Sequence, residues 1–97
     1  MSADSLRLDL FLWYARFLKT RAAAADLCRD GRVRVSGRVV EKAAAPVRVG
    51  DVLTFPQANH IQVIRILSLP TRRGPAPEAQ SCYERLEKSR VPSDLPS

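Results

Sequence analysis

Arg7, Arg16, Lys19, Arg21, Arg29, Arg32, Arg34 and Arg38 place eight fixed cations between positions 7 and 38. The same stretch holds three carboxylates, Asp9, Asp26 and Asp30, so it carries a surplus of five positive charges in about a third of the chain. Seven of the eight cations are Arg. A guanidinium offers a planar fork of donors that suits phosphate oxygens and stacks on flat rings. The chemistry these residues point to is the binding of a polyanion, nucleic acid first and an anionic membrane surface second. The whole chain has 97 residues, a net charge of +6 and a pI near 10.2.

Catalysis has less to stand on. His60 is the single histidine, and it lies in a polar turn next to Asn59. No Ser or Cys has a histidine close in sequence, the carboxylates are scattered, and no Gly-rich phosphate loop is present. Asp9 reads as a partner for Arg16 or a cap of its own helix. Cys28 and Cys82 form no C-x-x-C pair. Two reduced thiols are expected, without a disulfide, metal or cofactor. No uninterrupted apolar run suits a signal peptide or a membrane span, so a soluble cytoplasmic protein is expected.

The elements that must position the cations can be read from the spacing. Leu8, Phe11, Leu12, Ala15 and Leu18 follow the i, i+3, i+4, i+7 rule and predict a helix over 8–18. Leu10, Tyr14 and Phe17 should widen that inward face, while Asp9 and Arg16 fall on the remaining strip, and so does Trp13. It either stacks on a base or is covered by a later part of the chain, with the region of Tyr83 as the expected cover. Thr20 is a good N-cap for a second helix over 21–30, ended by Gly31. Ala23, Ala24, Leu27 and Cys28 should face inward. Arg21, Ala25 and Arg29 should then share the outer face, where a phosphate backbone could approach closely.

Arg32-Val33-Arg34-Val35 and Arg38-Val39-Val40 flank Ser36-Gly37 and predict a hairpin. Val33, Val35 and Val40 should share one face, with Arg32, Arg34 and Val39 on the other and Arg38 beside the turn. Val52–Phe55 and Ile61–Leu67 predict two more strands. Gln62 is an expected outward position of the second, with Ile64 or Arg65 as another. Pro77 should open a short helix through about Arg90, with a Glu84–Lys88 pair along it. VPSDLPS should be disordered. A domain over 1–69 and a C-terminal extension over 70–97 follow from the change of composition at Pro70.

RLDLFLWYARFLKTRAAAADLCRDGRVRVSGRVV and PVRVGDVLTF together resemble the S4-type RNA-binding domain. The resemblance rests on Arg7-Leu8-Asp9, Lys19-Thr20-Arg21, Gly31, Val33 to Gly37, and Val47 to Asp51. It departs at Ser36, where Asn is usual. It implies an α+β, S4-like (alpha-L) fold, with two antiparallel helices packed on a small, mostly antiparallel sheet, here followed by a C-terminal helix. It also implies RNA contacts by Arg16, Lys19, Thr20, Arg21, Arg34, Ser36 and Arg38, with Arg7 and Arg32 as further members. LWYARFLKTR and RRGPAPEAQSCYERLE are similar to the small ribosome-associated heat-shock proteins of this family. That implies binding to ribosomal RNA of the large subunit, where a nascent chain on tRNA blocks it.

Members of that branch usually continue into a longer basic C-terminal extension. Ser97 follows a Pro-containing tail here, so contacts made by such an extension are expected to be missing. The expected protein is a non-catalytic RNA binder acting as a monomer, with no membrane partner. The rival readings are a DNA-binding module, since two helices and a short turn also suit helix-turn-helix binding, and a protein-interaction adaptor. An accessory domain of an RNA-modifying enzyme is a third, but 97 residues leave no room for a catalytic part.

Overall fold

The computed structural model describes residues 4–89. The chain runs β1 (Leu6–Arg7), α1 (Leu8–Tyr14), α2 (Arg21–Arg29), β2 (Val33–Val35), β3 (Arg38–Val40), β4 (Pro46–Val47), β5 (Val52–Gln57), β6 (His60–Ile66), α3 (Ala76–Gln80) and β7 (Tyr83–Ser89). Five strands form one sheet in the order β3-β2-β5-β6-β7, and β1 pairs with β4 in a separate ribbon. Every pairing is antiparallel. This is the α+β architecture that the resemblance implies.

Leu8, Phe11 and Leu12 are fully buried and Ala15 nearly so, as their spacing predicts. They meet Val33, Leu53, Phe55, Ile64 and Ile66 from one face of the sheet. The helix nevertheless stops at Tyr14, earlier than expected. Arg16 sits at φ 68, in the left-handed region that L side chains rarely adopt. Phe17 explains the break. Its ring turns out of the helical path into the core, 4.9 Å from the Phe55 centroid and 4.7 Å from that of Tyr83.

In α2 the Thr20 hydroxyl accepts the Ala23 N–H at 3.0 Å, the predicted cap. Gly31 ends the helix with φ 73. The buried face is Ala24, Ala25 and Cys28, with Ala23 and Leu27 only partly covered. Ala25 is therefore not the open methyl expected between Arg21 and Arg29. The helix is rotated by about one residue, because its smallest side chains let it pack closest to α1. Burial pushes the Cys28 thiol up to about 11, and the nearby negative charge of Asp9 adds to it. Cys28 and Cys82 are free and buried.

The hairpin has the predicted register: Val33 opposite Val40, Arg34 opposite Val39, Val35 opposite Arg38. Ser36 (φ 50) and Gly37 (φ 88) make a two-residue turn of the kind whose twist matches its strands. Partners across a sheet share a face. Arg34, Thr54 and Val63 are successive partners, so Arg34 lies on the sheet face away from the helices. Arg38, beside Val35, lies on the other.

Two expectations fail in the second half. Gln62 is buried, not outward, and so is Ile64, whereas Arg65 is exposed. The Gln62 Nε2 donates to Gln57 Oε1 at 2.7 Å, which satisfies it inside. The C-terminal helix covers five residues, and 83–89 is a strand instead. Strand β6 offered an unpaired edge, and Tyr83 pairs with Ile66 along it with a register shift at Val63/Ile64. Glu84 thus meets Arg65 across the ladder at 3.2 Å rather than a residue one helical turn on. The segment VPSDLPS lies outside the described residues. No described helix is long and apolar enough to cross a membrane.

Candidate nucleic-acid interface

Asp9 organises one end of the site. It is 1% exposed, although charged. Arg7 grips it with two hydrogen bonds of 3.0 Å, and Arg21 Nε lies 3.5 Å from Oδ2. The Leu10 N–H donates to Oδ1 at 2.8 Å. Burial alone would raise this carboxyl. The Arg7 hydrogen bonds and charge, the Leu10 N–H and the Arg21 charge together outweigh burial and hold it below the usual carboxylate range. The partners of Asp9 are therefore Arg7 and Arg21, not Arg16. Both guanidiniums remain about half exposed. One carboxylate thus fixes two cations from different elements and leaves a net positive charge at the surface.

Backbone bonds carry this cluster to the hairpin. Leu8 N–H donates to the Ala45 carbonyl at 2.8 Å and Asp9 N–H to the Ala43 carbonyl at 3.1 Å. Arg7 stands opposite Pro46 in the short ribbon. Ala45 and Pro46 in turn line an open groove of about 690 Å³ with Val35, Arg38, Val39, Lys42 and one carboxylate, Glu41. Arg21, Arg7, Lys42 and Arg38 follow one another along this path. Lys19 and Thr20 stand exposed at the α2 end of it.

Ser36 is not simply free. Its hydroxyl donates to Asp51 Oδ1 at 3.1 Å, and Asp51 Oδ2 accepts the Arg48 N–H at 2.8 Å. The Gly50-Asp51 turn therefore clasps the tip of the hairpin and presents the exposed Arg48 beside it. Arg48 was not among the residues singled out from sequence. The Val-Arg-Val-Gly-Asp pattern was its signal, since that turn is part of the motif. Arg32, Arg34, Arg38, Arg48 and Lys19 make no ion pair among the described residues. Arg29 does, weakly, with Asp26. Arg34 faces the other side of the hairpin from Arg38, so the hairpin is charged on both sides.

Arg16 stands apart from this path. Its Nε donates to the Gly74 carbonyl at 2.7 Å. Arg73 returns the grip: its Nε donates to the Trp13 carbonyl at 3.1 Å and its Nη2 to the Leu18 carbonyl at 3.4 Å. The Arg73 guanidinium also lies 5.8 Å from the Trp13 ring centroid. Trp13 is thus half-buried under Arg73, and the Tyr83 region packs on Phe17 instead. Nothing in the sequence marked Arg73 for this, because the contact spans sixty positions. The pair pins the α1–α2 connection that carries Lys19 and Arg21. Arg73→Ala should lower stability by about 1–2 kcal/mol, from two hydrogen bonds and a cation–ring contact. Trp13 emission should shift to the red, a change that a thermal melt followed by fluorescence would register.

The comparisons with known proteins agree with this geometry. The S4 domain model matches residues 6–53. A heat shock protein 15 homologue of Haemophilus influenzae is 38% identical over 89 residues, which cover 92% of this chain and 67% of that protein. The RQC P-site tRNA stabilizing factor of Halalkalibacterium halodurans is 34% identical over 64 residues, 66% of this chain and 72% of that one. The solved trimeric structure of Vibrio cholerae heat shock protein 15 superposes with a TM-score of 0.79 at 36% identity, covering 84% of this chain and 81% of the other. The chain spans about two thirds of the length of the Haemophilus relative. On the matching motifs, the shared fold and these identities, the chain belongs to the S4 domain family, on the side of it that holds heat shock protein 15.

Proposed function

We propose that this protein binds structured ribosomal RNA of the large subunit without catalysing a reaction, in the handling of stalled ribosomes. The path of cations from Arg21 through Arg7 and Lys42 to Arg38 carries the reading, with Arg32, Arg34 and Arg48 on the hairpin and its clasp. A row of guanidiniums with few carboxylates near it binds phosphates and reads shape more than base sequence. Lys19, Thr20 and Ser36 border this path, and Arg16, held on the Gly74 carbonyl, is a separate contact beside it. The names of the relatives support the setting, since they describe a heat shock protein and a factor that stabilises tRNA in the P site. A large subunit carrying a nascent chain on tRNA is the partner that unites the two names. A single copy of the chain carries every residue of the proposed face.

Sedimentation of a lysate through a sucrose gradient should place the protein with the large subunit. Neutralisation of about five phosphates should make log K fall with log[salt] at a slope of roughly −3.5 to −4.5. A slope near zero, or equal competition by duplex DNA, would overturn the proposal.

A further inference from the structure

A second concave feature lies away from the hairpin, where the end of α1, α3 and the start of β7 meet. It is a cleft of about 320 Å³. Ala15, Phe17, Ala79 and Tyr83 line it and are almost wholly buried, and Gln57 adds a polar group to the lining. Arg16 and Arg85, from segments nearly seventy positions apart, also line it, as does Gln80. No carboxylate lines it.

The two guanidiniums are held by one nitrogen each. Arg16 is anchored through Nε on the Gly74 carbonyl. Arg85 is anchored through Nε on Gln62 Oε1 at 3.3 Å, with its guanidinium 5.9 Å from the Tyr83 ring centroid. Neither makes an Nη hydrogen bond to a described residue. Two described acids of this region, Glu78 and Glu84, are engaged elsewhere. Glu78 takes two bonds from Arg72, of 3.1 and 2.7 Å, and Glu84 pairs with Arg65. Two forks anchored through Nε, with Nη groups that no described residue takes up, suit the oxygens of one tetrahedral phosphate. The left-handed backbone of Arg16 (φ 68) keeps its side chain at this cleft rather than on the helix surface.

We infer that this cleft takes a phosphate group of the same RNA strand that the hairpin face binds. The inference rests on the RNA-binding reading above and extends it across the α1–α2 connection. Arg16 and Lys19 are three residues apart in that connection, which leads from the α2 end towards the cleft. The C-terminal strand β7 thereby becomes part of the RNA contact through Arg85.

The test uses the full chain and purified large ribosomal subunits. Arg85→Gln should weaken binding several-fold and make the log–log salt slope shallower by about 0.7–0.9, the loss of one phosphate contact. Arg85→Lys should restore most of both, since it keeps the charge. Arg65→Gln, on the opposite sheet face and paired with Glu84, should change neither. Unchanged affinity and slope in Arg85→Gln would overturn the assignment, even while charge reversal on the hairpin still abolished binding. If the hairpin reversal had no effect, the primary face would fail separately. A cleft that saturated with inorganic phosphate, read by amide shifts of Ala15 and Tyr83, but left the slope unchanged in Arg85→Gln would also overturn it.

Discussion

Arg34→Glu combined with Arg38→Glu should abolish binding to the large ribosomal subunit, by about 100-fold or more, and leave the thermal midpoint within a degree or two. Each reversal removes a phosphate contact and adds a repelled charge, about tenfold apiece in a screened surface setting. Neither side chain is in an ion pair among the described residues, and both are exposed, so folding loses nothing by the change. The choice of pair matters. Arg21 is the other obvious target from sequence, but its guanidinium sits 3.5 Å from Asp9. Glutamate at position 21 would face a buried carboxylate and destabilise the fold, confusing lost binding with lost structure. The hairpin pair has no such fault, and because Arg34 and Arg38 point to opposite faces, the single variants separate the two sides. Retained binding in the double variant, measured by co-sedimentation at 0.1 M salt, would place the RNA elsewhere.

The second large effect concerns stability. Asp9→Ala should lower it by about 1–3 kcal/mol, or some 5–20 °C in the midpoint of a domain this size. The substitution leaves two guanidiniums facing each other across an empty site and removes the acceptor of the Leu10 N–H. The range is set below that of a fully buried ion pair because Arg7 and Arg21 are half in water. Asp9 also predicts a pH dependence. Its carboxyl is held lower in the folded chain than in the unfolded one. The unfolded state then binds the proton more readily, so Asp9 contributes stability that is present above about pH 4 and lost as pH falls through its depressed folded value. The gap in midpoint between the wild type and Asp9→Asn should be full at pH 6 and shrink steadily below pH 4. A gap that stayed constant down to pH 2 would show that the Asp9 charge is not what the two arginines hold.

Local pattern alone located much of this molecule. The Thr20 cap, the Gly31 stop, the Val33–Val40 hairpin with its faces, and the buried apolar residues of α1 all follow from contacts within a few residues, where propensity and periodicity are decided; the burial of Asp9 does not. The concentration of arginines, and with it the polyanion reading, is a property of composition and order in the chain. Charge does not depend on packing.

What the sequence left open depends on partners distant along the chain. The end of α1 at Tyr14 is imposed by Phe17 finding Phe55 and Tyr83. The rotation of α2 that buries Ala25 is imposed by the surface of α1. Residues 83–89 fall within the helix expected from Pro77, yet the bare edge of β6 offered them a ladder of backbone hydrogen bonds, and pairing overrode local spacing. The same holds for the site. Asp9 joins Arg7 to Arg21 only because β1, α1 and α2 meet there. Arg16 left the main path for Gly74, and Arg73 and Arg48 came into play, through turns and long-range bonds that no local window contains. The residue types set what chemistry the chain can do. The packing of remote segments set which of those residues share a surface, because ion pairs and hydrogen bonds act over a few ångströms of space whatever their separation in sequence.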